Sequence, residues 1–168
     1  MEQHVSIGKV IKMEDDLLAP ASKYIIKFKG YHPFAAVDML PDLVKGILHV
    51  SSKDFWEEEM RWDINEEPRE FFIILKSKKQ QDRWSMYDLK FTIRGHQSDK
   101  DFMGDIEMEI EGVLRTQYVY SNFIQRGLWW MYNYLFYYRQ RRMYLDTGKD
   151  YCQLIKDAVQ RRLGIYPE

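Results

Sequence analysis

Apolar and polar positions alternate with period two along much of this chain, and in two regions the period lengthens to three or four residues. Lys23–Lys29 sets Tyr24, Ile26 and Phe28 on one side and Lys23, Lys27 and Lys29 on the other, the pattern of a strand with one buried face. Asp54–Ile64 places Trp56, Met60, Trp62 and Ile64 opposite Glu57, Glu59, Arg61 and Asp63. Phe71–Leu75 is a short apolar run whose length favours a central strand over a buried helical turn. Tyr87, Leu89, Phe91 and Ile93 alternate with Asp88, Lys90, Thr92 and Arg94. Ile106, Met108 and Ile110 alternate with three glutamates, and the parity runs on through Leu114, Thr116, Tyr118 and Tyr120, with Gly112 expected to mark a bend or bulge. Val5–Met13 reads as an early strand with Gly8 as a bulge, followed by a loop over Glu14–Ala21.

Between the first clear strand and Ser51 the pattern is helical: Phe34, Val37, Leu40, Val44, Ile47 and Leu48 recur at three- and four-residue steps. Pro41 suits the first turn of a helix, where its missing N–H has no partner to lose, so two short helices meeting there are expected. Ser121 or Asn122 can cap a helix beginning at Phe123, which becomes aromatic nearly all round over Leu128–Tyr138 and ends in the cations of Arg139–Arg142. Thr147-x-x-Asp150 reads as a capping box opening a separate final helix, with Tyr151, Leu154, Ile155 and Ala158 as its stripe and Gly164 as its end.

The expected architecture is α+β: a curved antiparallel sheet, two short helices after the first strand, and a long helical C-terminus packed on one face. No linker, repeat or low-complexity tract divides the 168 residues, so one domain over 1–168 is expected, with 1–20 as a loosely attached segment. A domain of this size buries roughly 70% of the surface its unfolded chain exposes and folds without staples. The single cysteine, Cys152, excludes an internal disulfide framework, and with no charged-then-apolar start over Met1–Val10 the expected compartment is the cytoplasm. A net charge of −1 gives no basic field to recruit DNA or RNA, so nucleic acid is not an expected partner.

This order of elements resembles the helix-grip architecture of the START-like superfamily, over Lys23–Leu163, with Pro41 and the aromatic Leu128–Tyr138 helix as its local marks. The resemblance implies an apolar cavity between sheet and C-terminal helix. It matches no catalytic signature and implies no enzyme by itself.

Candidate chemistry is sparse. The four histidines stand in separate segments, with no metal-ligand spacing, and no glycine-rich loop opens a helix, so neither a metal nor a cofactor is expected. Glu58 falls in the inward register of Trp56, Met60 and Trp62, where a lone carboxylate would be paired or have its pKa raised by desolvation. The alternative is a bulge over Glu57–Glu59 that turns it outward. The residues expected to line a ligand space are Trp56, Glu58, Met60, Trp62, Tyr87, Phe91, Thr116, Tyr118, Trp130 and Tyr134, with Trp129, Tyr132 and Phe136 on the opposite helix face. The leading expectation is a binding domain for a small apolar or amphipathic molecule. Behind it stands an interaction or homodimerising domain that uses the aromatic helix, with membrane-surface contact further back and an enzyme using Glu58 as acid or base in third place.

Overall fold

A computed structural model describes residues 8–165 as an α+β fold with one open antiparallel sheet. Six strands build it: β1 (Lys9–Asp16), β2 (Tyr24–Tyr31), β3 (Phe55–Asp63), β4 (Arg69–Gln80), β5 (Ser85–Gln97) and β6 (Met103–Tyr120). Their order is β1-β6-β5-β4-β3, and β2 shares the β6 edge with β1. The long β6 makes this possible, since Val113–Tyr120 pairs with β1 while Met103–Ile110 pairs with β2.

The period-two expectations hold over β2, β5 and β6, and the apolar run Phe71–Leu75 falls in the strand β4 as expected. Phe71, Ile73, Leu75, Leu89, Phe91, Ile93, Ile106 and Ile110 are buried on the inner face. Charged positions form ion-pair ladders on the outer face, where Glu109 meets Lys23 and Arg94. The hydrogen bond from Lys23 outweighs the burial of Glu109 and holds its carboxyl below the usual range. The early strand differs from expectation. Val5–Ile7 lie outside the described residues, Gly8 stands just before β1, and β1 continues through Asp16 into the expected loop. Within the segment read as loosely attached, Lys9–Asp16 is paired along its whole length with β6, and Leu17 and Leu18 are buried.

The helical segment after β2 falls where expected but is one helix, α1 (Ala35–Leu48), continuing through Pro41. Proline in a helix interior removes one hydrogen bond and costs about 3 kcal/mol. Full burial of Leu40, Val44 and Leu48 along one face offsets that cost here. His49 ends the helix in the left-handed region.

The C-terminus is also more continuous than its sequence implies. α2 (Phe123–Tyr132), a π turn (Asn133–Tyr137) and α3 (Tyr138–Leu163) follow one another directly, and no break occurs at Thr147. Asn122 caps α2 by accepting from the Gln125 N–H, and Gly164 closes α3 in the left-handed region. The capping-box pattern misleads because Gly148 has a packing role: a Cβ there would lie 2.6 Å from Leu17 Cδ2 and 2.9 Å from Tyr87 Cε1. Gly112 answers it from the sheet. The β5–β6 ladder passes Gly112 without a bulge, and a Cβ there would sit 2.8 Å from Leu17 and Leu89 and 3.2 Å from Cys152 Sγ. Both glycines let α3 lie close against the sheet.

Candidate functional site

The ten residues expected to line one space are divided among three places. Tyr87, Phe91, Thr116 and Tyr118 do face inward, and each is buried beneath the helical layer. Trp62 also faces inward, stacked on Phe71 at 5.6 Å and met edge-on by Phe34. Met60 keeps inward parity opposite Ile73 but stands half exposed on the edge strand.

Trp56 and Glu58 lie on the other side of the sheet. The β3–β4 register shifts between Glu57 and Glu59, so the parity assigned from Trp62 and Met60 does not carry back to Trp56. Trp56 pairs with Lys76 and lies under Lys78 Nζ at 5.3 Å, while Glu58 accepts from Lys76 Nζ at 2.7 Å. The inward reading of Glu58 therefore gives way to the bulge. Glu58→Gln is expected to change stability by no more than roughly 0.5 kcal/mol, because exposed ion pairs contribute little. A urea titration showing a larger loss would mean the pair is structural.

Trp56, Lys76 and Lys78 border a trough of about 460 Å³ with Asp88, Lys90 and Arg115. Its cations are largely matched from within. Arg115 reaches Asp88 at 2.6 Å and Glu14 at 2.9 Å, and Lys90 stands 4.0 Å from Glu111. A trough neutralised in this way offers little net field to a charged ligand.

Beneath the π turn lies a polar network that the sequence reading missed. The Ser85 hydroxyl meets Thr116 Oγ1 at 2.7 Å and the Tyr137 hydroxyl at 2.8 Å. Asp82 accepts from the backbone N–H groups of Trp84 and Ser85 and from the hydroxyls of Tyr137 and Tyr144. Arg141 donates to Thr116 at 3.1 Å and pairs with Asp15. Burial opposes the Asp82 charge, yet these donors hold its carboxyl below the ordinary range, while burial drives the Tyr137 phenol upward. Ser85 and Thr116 are closed to solvent, and their hydroxyls tether helix to sheet. The short Asp82-x-x-Ser85 spacing was the one local signal of this network, since an aspartate often accepts backbone N–H groups two or three residues on.

The aromatic helix is docked by the face opposite to the one expected. Trp129 stacks on Tyr118 with centroids 4.6 Å apart and planes 12° apart, and its Nε1–H donates to the Val119 carbonyl at 3.0 Å. Tyr132 and Tyr137 stack at 6.1 Å, and both meet Trp84 edge-on. The π turn, with the Tyr138 N–H reaching back to the Asn133 carbonyl, adds a residue to one turn, so Trp129, Tyr137 and Arg141 can all point inward.

Trp130 and Tyr134 are consequently outside, 46% and 82% exposed. They belong to a continuous outward strip with Phe123, Ile124, Leu128, Met131, Leu135 and Tyr138, and Phe136 flanks it at 69% exposure. Positions 123, 127, 130, 131, 134 and 138 recur at three- and four-residue steps, so they share one face. Covered aromatic side chains bury about 150–250 Å² each. At their fractional exposures the five aromatics here present on the order of 500–850 Å², at or above the roughly 300–600 Å² of an ordinary monomer's largest apolar patch.

No protein family and no curated protein matches the sequence. Among solved structures, that of SA2116 from Staphylococcus aureus, a protein of unknown function, aligns over 94% of this chain and 96% of its own at 12% identity, with a TM-score of 0.30. A likeness of that size bears on neither the fold nor the function of this chain.

Proposed function

We propose that this chain is an interaction domain whose working surface is the outward strip of α2 and the start of α3. The observation that carries the reading is the exposure of nine large apolar side chains on and beside one helix whose opposite face is already packed on the sheet. The rival reading, a ligand held between sheet and helix, has less support. Tyr87, Phe91, Gly112 and Gly148 stand where such a ligand would lie, and side chains of Leu17, Leu89 and Cys152 fill the gaps.

The START-like likeness is kept as a proposal about architecture, supported by the antiparallel sheet, the helix after β2 and the long C-terminal helix. A reducing compartment such as the cytoplasm suits the lone Cys152, whose thiol burial pushes up to about 12.

Nile red separates the two readings. The wild-type protein should enhance its fluorescence, and the double variant Leu128→Glu with Tyr134→Glu should lose most of the enhancement while keeping its far-ultraviolet circular dichroism. Saturable one-to-one dye binding that survives both substitutions would return the function to the interior.

A further inference from the structure

We infer that the partner of this strip is an anionic membrane surface, on which the domain docks with the axis of α2 lying in the interface. The inference rests on the interaction reading above and adds the identity of what is bound.

Charge is the deciding observation. Between Glu111 and Asp146 the sequence carries no carboxylate, while Arg126, Arg139, Arg141 and Arg142 fall on α2 and the start of α3. Of these four, only Arg141 is ion-paired among the described residues, to Asp15, and it points inward. Arg126, Arg139 and Arg142 are exposed beside the strip, and the exposed Arg83 stands near the Trp84 ring, which packs on Trp129 from the neighbouring hairpin. Tryptophan, tyrosine, phenylalanine and leucine on one helix face with arginine at its margins is the composition that settles at the boundary between lipid headgroups and acyl chains. Cations near an anionic leaflet add attraction that salt screens.

A second copy of this chain fits the same surface poorly. An isologous contact would lay the strip against itself, bringing the arginines of one copy toward those of the other with no carboxylate on either strip to meet them. Phe123 and Tyr134, more than four-fifths exposed, also protrude into solvent. A fluid acyl layer receives such protruding rings without a matching pocket. No helix among the described residues is long and apolar enough to cross a membrane, so the contact is peripheral.

The test is co-sedimentation of the full chain with vesicles of phosphatidylcholine alone and of phosphatidylcholine and phosphatidylserine in equal parts. Binding is expected to the mixed vesicles, falling as salt rises. The triple variant Arg126→Gln, Arg139→Gln, Arg142→Gln should weaken it by about a hundredfold, the loss expected for three surface cations near an anionic leaflet. Brominated acyl chains should quench the wild-type tryptophan emission, and Trp130→Phe should remove most of that quenching, a readout independent of whether the arginine variant folds. Equal binding to both vesicles, or no effect of the arginine substitutions, would overturn the membrane assignment. If vesicles bind nothing while Leu128→Glu abolishes a concentration-dependent dimer or the capture of a protein partner, the membrane fails and the interaction reading stands. If the strip substitutions change neither vesicle binding nor association, both fail.

Discussion

Phe91→Ala should cost about 3–5 kcal/mol of stability, the range for deleting a fully enclosed phenylalanine and leaving part of its volume empty. Phe91 is wholly buried on β5 between Leu75 of β4 and Ile110 of β6, so the cavity would open at the centre of the sheet's inner face, where both neighbouring ladders resist collapse. The adjacent position supplies the control. Lys90 points outward and stands 4.0 Å from Glu111, so Lys90→Ala should change stability by roughly 0.5 kcal/mol or less. Urea titrations of the two variants measure the difference directly. Equal losses would mean that the inner and outer faces of β5 had been exchanged.

Asp82→Ala should have the second largest effect, about 2–4 kcal/mol, because one carboxylate gathers four donors and hydrogen bonds to a charged group contribute more than neutral ones. Losing it would loosen the β4–β5 turn and the π turn together, since Tyr137 and Tyr144 come from the helix and Trp84 and Ser85 from the turn. A pH dependence should accompany it. The Asp82 carboxyl is held below its ordinary value in the fold. Its contribution is therefore complete above the unfolded-state pKa, roughly 4, and fades as pH falls through the lowered folded value. The stability gap between the wild type and Asp82→Asn should thus be wide near neutral pH and narrow as the solution is acidified below roughly pH 4. A gap that stays constant over that interval would mean that the hydrogen bonds matter and the charge does not.

Sequence pattern revealed the strands and hid the helix faces, for one physical reason. A strand buried on one side must alternate, and β2, β4, β5 and β6 each carry lysine, arginine or glutamate to mark the wet side. The contrast fails in β3. Glu57, Glu58 and Glu59 are chemically alike, so nothing local records which of them is the extra residue, and Trp56 was placed on the wrong face in consequence. It fails again over Leu128–Tyr138, where both sides of the helix are aromatic. There the choice is made by particular partners, the Val119 carbonyl for Trp129 and the Tyr118 ring beneath it, which no periodicity contains. Gly148 and Thr147 suggested a helix boundary because glycine and a capping pattern usually mark one. The stripe Tyr137, Arg141, Gly148, Cys152, Ile155 and Val159, all buried, instead continues through them and was obscured by an arginine within it. In the Asp82 cluster only the contacts to Trp84 and Ser85 are local; Tyr137 and Tyr144 stand more than fifty residues away, where no local pattern reaches.

The shared edge of β6 has a consequence for how the chain is made. β1 and β2 both wait for Met103–Tyr120, and the contact between Glu14 and Arg115 closes a loop of 101 residues. Such closures cost entropy before they return any pairing energy, and they slow folding relative to hairpins such as β4–β5. On a ribosome, β3, β4 and β5 can begin to pair while the first two strands still have no neighbour. Until β6 emerges, the N-terminal strands present unpaired edges and the apolar side chains of Ile11, Ile26 and Phe28 to the surrounding solution.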